Sequence, residues 1–271
     1  MRILLAVPAF LIAIVSPALA QLDLPKAEEL LSGCVAALPD IPLRIEGQLI
    51  SRDANGDVEA KRNVEMLLDW RAQPATAYYT IRDAFGKAME HLSVTWPEEG
   101  MPEYRYLKGD PLVAAPTPPL ADALAKTDIS WMDLSLSFFW WPGGRTVGAQ
   151  EVKGRACYII DLPAPPDTFP GCSGVRLWID PKIPVMLRAE AYDTEEKLMR
   201  RMDVKSFKKI NDRWFIQNIE VESLPSKHRT ALKVRDVQDR ERKSFMRNDA
   251  GPVEQSPPSE DIDTVTPVAV E

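Results

Sequence analysis

Histidine and cysteine are scarce in this chain of 271 residues: the only histidines are His91 and His228, and the three cysteines are Cys34, Cys157 and Cys172. Neither histidine has a partner at the spacing of a metal pair or a catalytic triad. Both sit in strand-like patterns among charged neighbours and read as exposed strand residues. No G-x-S-x-G, no C-x-x-C and no glycine-rich phosphate loop occurs. Asp128 and Asp133 are five apart, on different sides of any helix, so they do not form an acid–base pair and a capping role accounts for them. No enzyme activity, cofactor or metal is expected. Positive charge is equally short: the formal net charge is −7, and basic runs stop at pairs such as Arg200-Arg201 and Lys208-Lys209. That leaves no electrostatic footprint for a phosphate backbone, and nucleic acid is not expected as a partner.

Long apolar runs are also missing. The longest, Ile3 to Val15, is about half of the roughly 20 residues that a bilayer-spanning helix needs. It follows Arg2 and ends at Ala18-Leu19-Ala20, so residues 1–20 have the form of a secretory leader cleaved between Ala20 and Gln21. Export to the periplasm as a soluble protein is the expectation. Leu31-Ser32-Gly33-Cys34 has the form of a lipoprotein acylation box, but Asp23, Lys26, Glu28 and Glu29 separate it from the apolar run. Cys34 therefore reads as an ordinary residue of an amphipathic helix. Three cysteines in an oxidising compartment allow one disulfide and one thiol. Cys157 and Cys172 would not face each other if 156–161 and 174–180 form a hairpin, and Cys34 with either stays open. At the other end, residues 248–271 are acidic, proline-rich and without large aromatics, the composition of a disordered tail. Residues 21–247 remain as a single domain, and 45% apolar content suffices for a core.

Within that domain the recurring signal is period two. Leu43, Ile45 and Leu49 alternate with Arg44, Glu46 and Gln48, and the pattern returns at Val64–Trp70, Ala77–Arg82, Leu92–Trp96, Val175–Ile179, Val185–Ala191, Phe215–Val221 and Leu232–Val234. These are strands with one apolar face, roughly ten in succession. Val64, Leu68, Val94, Leu177 and Leu187 are expected on the shared apolar face, and Glu65, Arg82, Arg176 and Lys233 on the other. Asp53-Ala54-Asn55-Gly56-Asp57, Asp193-Thr194-Glu195-Glu196 and Asn211-Asp212 mark tight turns, which makes the sheet an antiparallel meander.

Helical signals are few. Pro25 through Leu38 places Ala27, Leu30, Leu31, Cys34 and Leu38 on one side. Leu120 to Trp141 is apolar nearly all round from Ser130 onward, the pattern of an embedded helix, with Ser130 and Asp133 in the form of a capping box. Alternation over Asp133–Phe138 also fits a strand. A one-sided sheet with this little helix must curl, and its concave face needs covering by the helices or by a ligand. Leu68, Trp70, Tyr79, Trp96, Trp131, Leu136, Phe138, Phe139, Leu177 and Leu187 are the candidate walls and lid of a lipid-sized pocket, and Tyr104, Tyr106, Trp140 and Trp178 are the other bulky residues available near it.

Thr127-Asp128 through Trp141, Val152-Lys153-Gly154-Arg155-Ala156-Cys157-Tyr158, Val175-Arg176-Leu177-Trp178-Ile179-Asp180, Arg188-Ala189-Glu190-Ala191-Tyr192-Asp193, and Asp203-Val204-Lys205-Ser206-Phe207 followed by Asn211-Asp212-Arg213-Trp214 form an ordered series of blocks. In this series the chain resembles the LolA-like outer-membrane lipoprotein-sorting proteins over roughly residues 25–238. The resemblance implies a mainly β fold, a curled antiparallel half-barrel closed by short helices, whose apolar cavity shields acyl chains during passage across the periplasm. It also implies lipid acyl chains or lipoproteins as ligands, transient contact with inner- and outer-membrane machinery, and a monomeric carrier. The resemblance does not assign the cavity arginine of such carriers to a particular position of this sequence. A sensor or scaffold of the same fold, binding a lipidated or peptide partner without transport, is the second class that the sequence allows.

Overall fold

The computed structural model describes residues 24–98, 100–165, 169–210 and 213–239. The expected leader with its Ala20–Gln21 junction, the turn at Asn211-Asp212 and the tail 248–271 lie outside the described residues. A helix, α1 (Ala27–Ala36), precedes six strands: β1 (Leu43–Arg52), β2 (Val58–Asp69), β3 (Ala75–Arg82), β4 (Ala88–Trp96), β5 (Glu103–Lys108) and β6 (Val113–Ala115). A covering segment, 120–141, holds one turn of helix, α2 (Trp131–Ser135), and a short 3-10 helix at Ser137–Trp140. Seven strands follow: β7 (Arg145–Val152), β8 (Arg155–Pro163), β9 (Gly174–Asp180), β10 (Val185–Tyr192), β11 (Leu198–Ile210), β12 (Arg213–Ser223) and β13 (Arg229–Asp239).

All thirteen strands form one antiparallel sheet in the order β6-β5-β4-β3-β2-β1-β13-β12-β11-β10-β9-β8-β7. Two meanders thus run outward from a central seam, where β1 pairs with β13 from Leu43↔Asp239 to Arg52↔Arg229. The sheet does not close; β6 and β7 are its edges. This is the curled half-barrel that one-sided alternation requires. Its hairpins repeat one turn: Asp53 Oδ1 accepts the amides of Asn55 and Asp57 at 2.9 and 2.8 Å, Asp83 those of Phe85 and Lys87 at 2.8 and 2.9 Å, and Asp193 those of Glu195 and Lys197 at 2.9 and 2.8 Å. The carboxylate serves the amides that a sharp reversal would leave unpaired.

The concave face carries the main core, in which Val64, Leu68, Val94 and Leu177 pack with α1 and the covering segment. On the convex face cross-strand ion pairs run from strand to strand. Glu65 pairs with both Arg44 and Arg82 at 3.1 Å, and Arg176 holds Asp161 with two bonds of 2.6 and 2.8 Å. Burial pushes the Glu65 carboxyl up, and its two arginines together bring it below the ordinary carboxylate range.

Three expectations need correction. Leu187 does not share the face of Leu68: the β10–β9 register slips between Met186 and Arg188, so Leu187 is the extra residue of a bulge and turns outward. There it packs with Val152, Cys157 and Trp178 in a small separate cluster. Trp178, with both chain neighbours in the main core, follows by parity. Its Nε1 donates to Gln150 Oε1 at 2.8 Å, and Arg188 lies 5.7 Å over its ring. The expected long helix over 120–141 is shorter and broken. The capping box forms, with Asp133 N to Ser130 Oγ at 3.2 Å and Ser130 N to Asp133 Oδ2 at 2.9 Å, but Leu136 turns left-handed at φ 51° and ends the helix after one turn. Strands β5, β6, β7 and β11 are additional to those that the alternation marks. Among the described residues all three cysteines are free and buried; Cys157 lies in the convex cluster and Cys172 in the concave core, so they cannot meet.

Candidate functional site

The centre of the concave face, the C-terminal end of α1 and the covering segment enclose an apolar cavity of about 90 Å³. By that measure one water needs about 10–15 Å³, so the space admits several waters and not a chain of sixteen carbons without movement of a wall. Leu68 of β2, Trp70 just after it and Tyr79 of β3 form one wall; Phe215, Ile219 and Leu232 of β12 and β13 form the opposite one. Cys34, Leu38 and Pro39 close one end, and Leu134, Leu136 and Phe139 of the covering segment form the roof. Burial pushes the Cys34 thiol up to about 12, so it stays neutral and behaves as a small apolar wall residue.

Of the ten candidates, Leu68, Trp70, Tyr79, Leu136 and Phe139 line this cavity. Trp96, Trp131, Phe138 and Leu177 belong to the same core but stand behind the wall, and Leu187 is on the other side of the sheet. Trp96 packs 4.8 Å from both Trp70 and Trp140, and Trp70 and Trp140 stack at 5.7 Å, so three indoles buttress one end. The wall residues that were not singled out, among them Met66, Phe215, Ile219 and Leu232, carried the right parity in their strands. Met186 was hidden by the bulge.

The roof is tied to the sheet at a few polar points. Arg200 of β11, 9% exposed, reaches the Ala121 carbonyl, places Nη2 3.3 Å from Ser130 Oγ and Nε 3.6 Å from Asp133 Oδ2. Thr230 of β13 donates its hydroxyl to Asp128 Oδ2 at 2.8 Å and accepts the Asp128 amide at 2.8 Å. Between these ties the backbone is left-handed at Ala125 and Lys126, with φ 49° and 61°, and again at Leu136. Such non-glycine residues store local strain at both ends of the stretch that holds α2.

A second, polar cleft of about 460 Å³ lies outside the Asp128–Thr230 tie, lined by Ser51, Glu59, Lys126, Thr127, Asp128 and His228. His228 precedes β13 rather than lying within a strand, and its Nδ1 is 3.2 Å from Glu59 Oε2. His91 is half-buried in β4 and shares a 2.9 Å hydrogen bond with Thr80 Oγ1. Burial, then Arg105 and Arg82, hold its pKa below the ordinary histidine range. Neither is the freely exposed strand histidine that the sequence suggests. Among the described residues no group of three or more His, Cys, Asp or Glu is placed to hold a metal, and no helix is long and apolar enough to cross a membrane.

A family model described only as that of an uncharacterized protein matches residues 118–245, the covering segment and the second meander. No curated protein matches the sequence. Among the solved structures that are similar, three match about four fifths of the chain. A domain described as an outer membrane lipoprotein-sorting protein from Vibrio parahaemolyticus has a TM-score of 0.68 at 12% identity, covering 82% of this chain and 96% of its own. A DUF1329 family protein from Desulfovibrio piger has 0.66 at 15%, covering 78% and 91%. A LolA superfamily protein from Nitrosomonas europaea has 0.62 at 13%, covering 80% and 95%. At such identities the likeness is one of architecture, and on that ground the chain has the LolA-like fold, an open antiparallel half-barrel roofed by short helical pieces.

Proposed function

We propose that this protein is an exported carrier of the periplasm that shields acyl chains in its apolar cavity and takes part in sorting lipoproteins to the outer membrane, with segment 120–141 as the lid. The observation that carries the reading is the shared wall: the lid residues Leu134, Leu136 and Phe139 face sheet residues from both meanders across an almost wholly apolar space. The likeness to a Vibrio domain described as lipoprotein-sorting supports it. In this reading residues 21–247 form the carrier domain, working as a monomer that transiently meets machinery of the two membranes, and 248–271 form a tail.

The physics follows from the ligand. At about 0.8 kcal/mol per buried methylene, a sixteen-carbon chain is kept out of water by on the order of 12 kcal/mol, so passage through an aqueous space needs a covered site. Release is possible because the lid's own apolar residues occupy the cavity when the chain leaves. Lid against sheet replaces chain against sheet, and only the difference must be overcome.

Replacing Leu136, a partly buried roof residue at the left-handed turn, with Glu separates lid from core. We expect Leu136→Glu to weaken binding of a fluorescent fatty-acid probe more than tenfold while shifting the melting transition by only a few degrees, because lids are drawn from the less stable end of a structure. Collapse of the melting transition before any selective loss of binding would mark the segment as plain core. Lipid extracted from the protein purified out of the periplasm and identified by mass spectrometry gives the direct check.

A further inference from the structure

The polar cleft lies at the hairpin end of the seam, apart from the apolar cavity, and four parts of the chain bring chemistry to it. Ser51 comes from the end of β1, Glu59 from the start of β2, Lys126 and Asp128 from the covering segment, and His228 from the turn before β13. One wall is made by an irregularity of the sheet. Ser51 pairs with Ala60 and Arg52 with Val58, so Glu59 is the extra residue of a bulge in β2. Strict alternation would turn Glu59 away from the face that carries Ala60, and the bulge lets both line the cleft. Glu59 meets His228 Nδ1 through Oε2, and its Oε1 accepts no hydrogen bond from a described residue.

Two further groups are open to the cleft. Asp128 holds the Thr230 hydroxyl on Oδ2, and its Oδ1 accepts no hydrogen bond from a described residue. Ser51 is only 2% exposed, lines the cleft, and has a hydroxyl without a partner among the described residues. A polar side chain buried this deeply is nearly always hydrogen-bonded, so the Ser51 hydroxyl points to a group that enters from the cleft. Charge selects that group. Glu59 and Asp128 face one fixed cation, Lys126, and the cleft keeps one negative charge in excess while His228 is neutral. Among the described residues no set of metal ligands forms there. An ammonium carries three N–H donors and no acceptor, which matches two carboxylate oxygens and a hydroxyl. The volume of about 460 Å³ is that of a small-molecule site, for which about 300–1,000 Å³ is usual, and the polar lining suits a small hydrophilic group.

We propose that this cleft is a second binding site, separate from the apolar cavity, and that it takes a protonated primary amine held by Asp128, Glu59 and Ser51. The inference does not depend on the acyl-carrier reading. Two sources carry this chemistry: the ammonium of a lipid headgroup and the lysine side chain of a partner protein. The bound cation compensates a carboxylate that burial disfavours and Thr230 only partly stabilises. Binding therefore has a sign with pH. The groups that face Asp128 are Thr230 and Arg200 of the sheet, Glu59 of β2, His228 before β13 and Lys126 of its own segment. As pH falls toward the raised pKa of Asp128 its charge is lost, and an imidazole that takes a proton adds to the loss, so amine affinity falls from pH 7 to pH 5.

The test titrates the full mature chain at low ionic strength with four probes, followed by NMR shifts: ethanolamine, Nα-acetyl-lysine amide, tetramethylammonium and acetate. Saturable binding of at least one of the two amines is expected at pH 7, weakening toward pH 5. Tetramethylammonium has the charge without an N–H and should bind about tenfold more weakly, and acetate should not bind. The tighter amine identifies the source, ethanolamine a headgroup and the lysine amide a protein partner. Glu59→Gln should weaken that amine about tenfold and Ser51→Ala about threefold, the sizes of a charged and a neutral hydrogen bond, with the melting temperature unchanged. Asp128→Asn should remove binding at pH 7. No saturable binding of either amine, equal binding of tetramethylammonium, tighter binding of acetate, or wild-type affinity in folded Glu59→Gln and Ser51→Ala proteins each overturns the inference and leaves the carrier reading standing. A Ser51→Ala protein that melts well below wild type would show its hydroxyl already partnered, which also overturns it.

Discussion

At Asp128 burial and hydrogen bonding pull in opposite directions. Desolvation comes first and raises its pKa, and the Thr230 hydroxyl and nearby His228 only partly offset this. A carboxyl whose pKa is higher folded than unfolded lowers stability where it is ionised, and the loss is relieved as pH falls through the folded pKa toward the unfolded one. Asp128→Asn keeps an acceptor for Thr230 and removes the charge, so its stability relative to wild type should be greatest near pH 7 and decline toward pH 4. Thr230→Val should instead cost about 1–3 kcal/mol at pH 7, because it strands a buried carboxylate and a buried amide. Denaturant melts of both variants at the two pH values check the sign. A wild-type advantage over Asp128→Asn that grows with pH would show that the hydrogen bond outweighs burial. This pairing is not legible in the sequence, because 102 residues separate the partners and Asp128 reads there only as a cap.

Among the elements, the legible ones are those whose local chemistry and long-range packing agree. The Asp53 and Asp193 turns formed as their residues demand, and Ser130 and Asp133 formed their box. The rest depended on events that leave little trace in composition. Leu136 ends α2 in a conformation that usually signals glycine, and the β10 bulge reverses Leu187 by inserting one residue opposite the β9 ladder. Five of the ten candidates line the cavity, and at Tyr79 aromatic bulk and strand parity coincide. Trp178 had bulk without the parity. This gives a contrast between two leucines of equal size. Leu187→Ala and Leu68→Ala should each cost about 2–5 kcal/mol of stability, since both are buried. Only Leu68→Ala should change the affinity of folded protein for an acyl probe, because Leu187 faces the other side. Equal changes in probe affinity would place the ligand elsewhere.

For the whole molecule the seam between β1 and β13 matters most, because the two meanders meet there and the cavity draws walls from both: Met66, Leu68 and Tyr79 from the first, Phe215, Ile219 and Leu232 from the second. The two halves therefore fix the width of the site through one line of pairing. Gly47 sits on that line, at the register shift after Glu46. A β-carbon there would meet Leu232 Cδ1 and the Lys233 carbonyl at 3.1 Å and Val64 Cγ1 at 3.3 Å. The carbonyl belongs to the ladder and cannot step aside as a side chain could. Gly47→Val should therefore force the strands apart, at a cost of about 1–3 kcal/mol for overpacking. Because Leu232 is both the neighbour pushed and a cavity wall, probe affinity should fall along with stability, in contrast to Leu136→Glu, where binding falls far more than stability. Melting and probe titration of the two variants side by side separate a seam that sets the cavity's width from a lid that covers it. Unchanged probe affinity in a destabilised Gly47→Val protein would show that the two meanders hold the site independently of their joint.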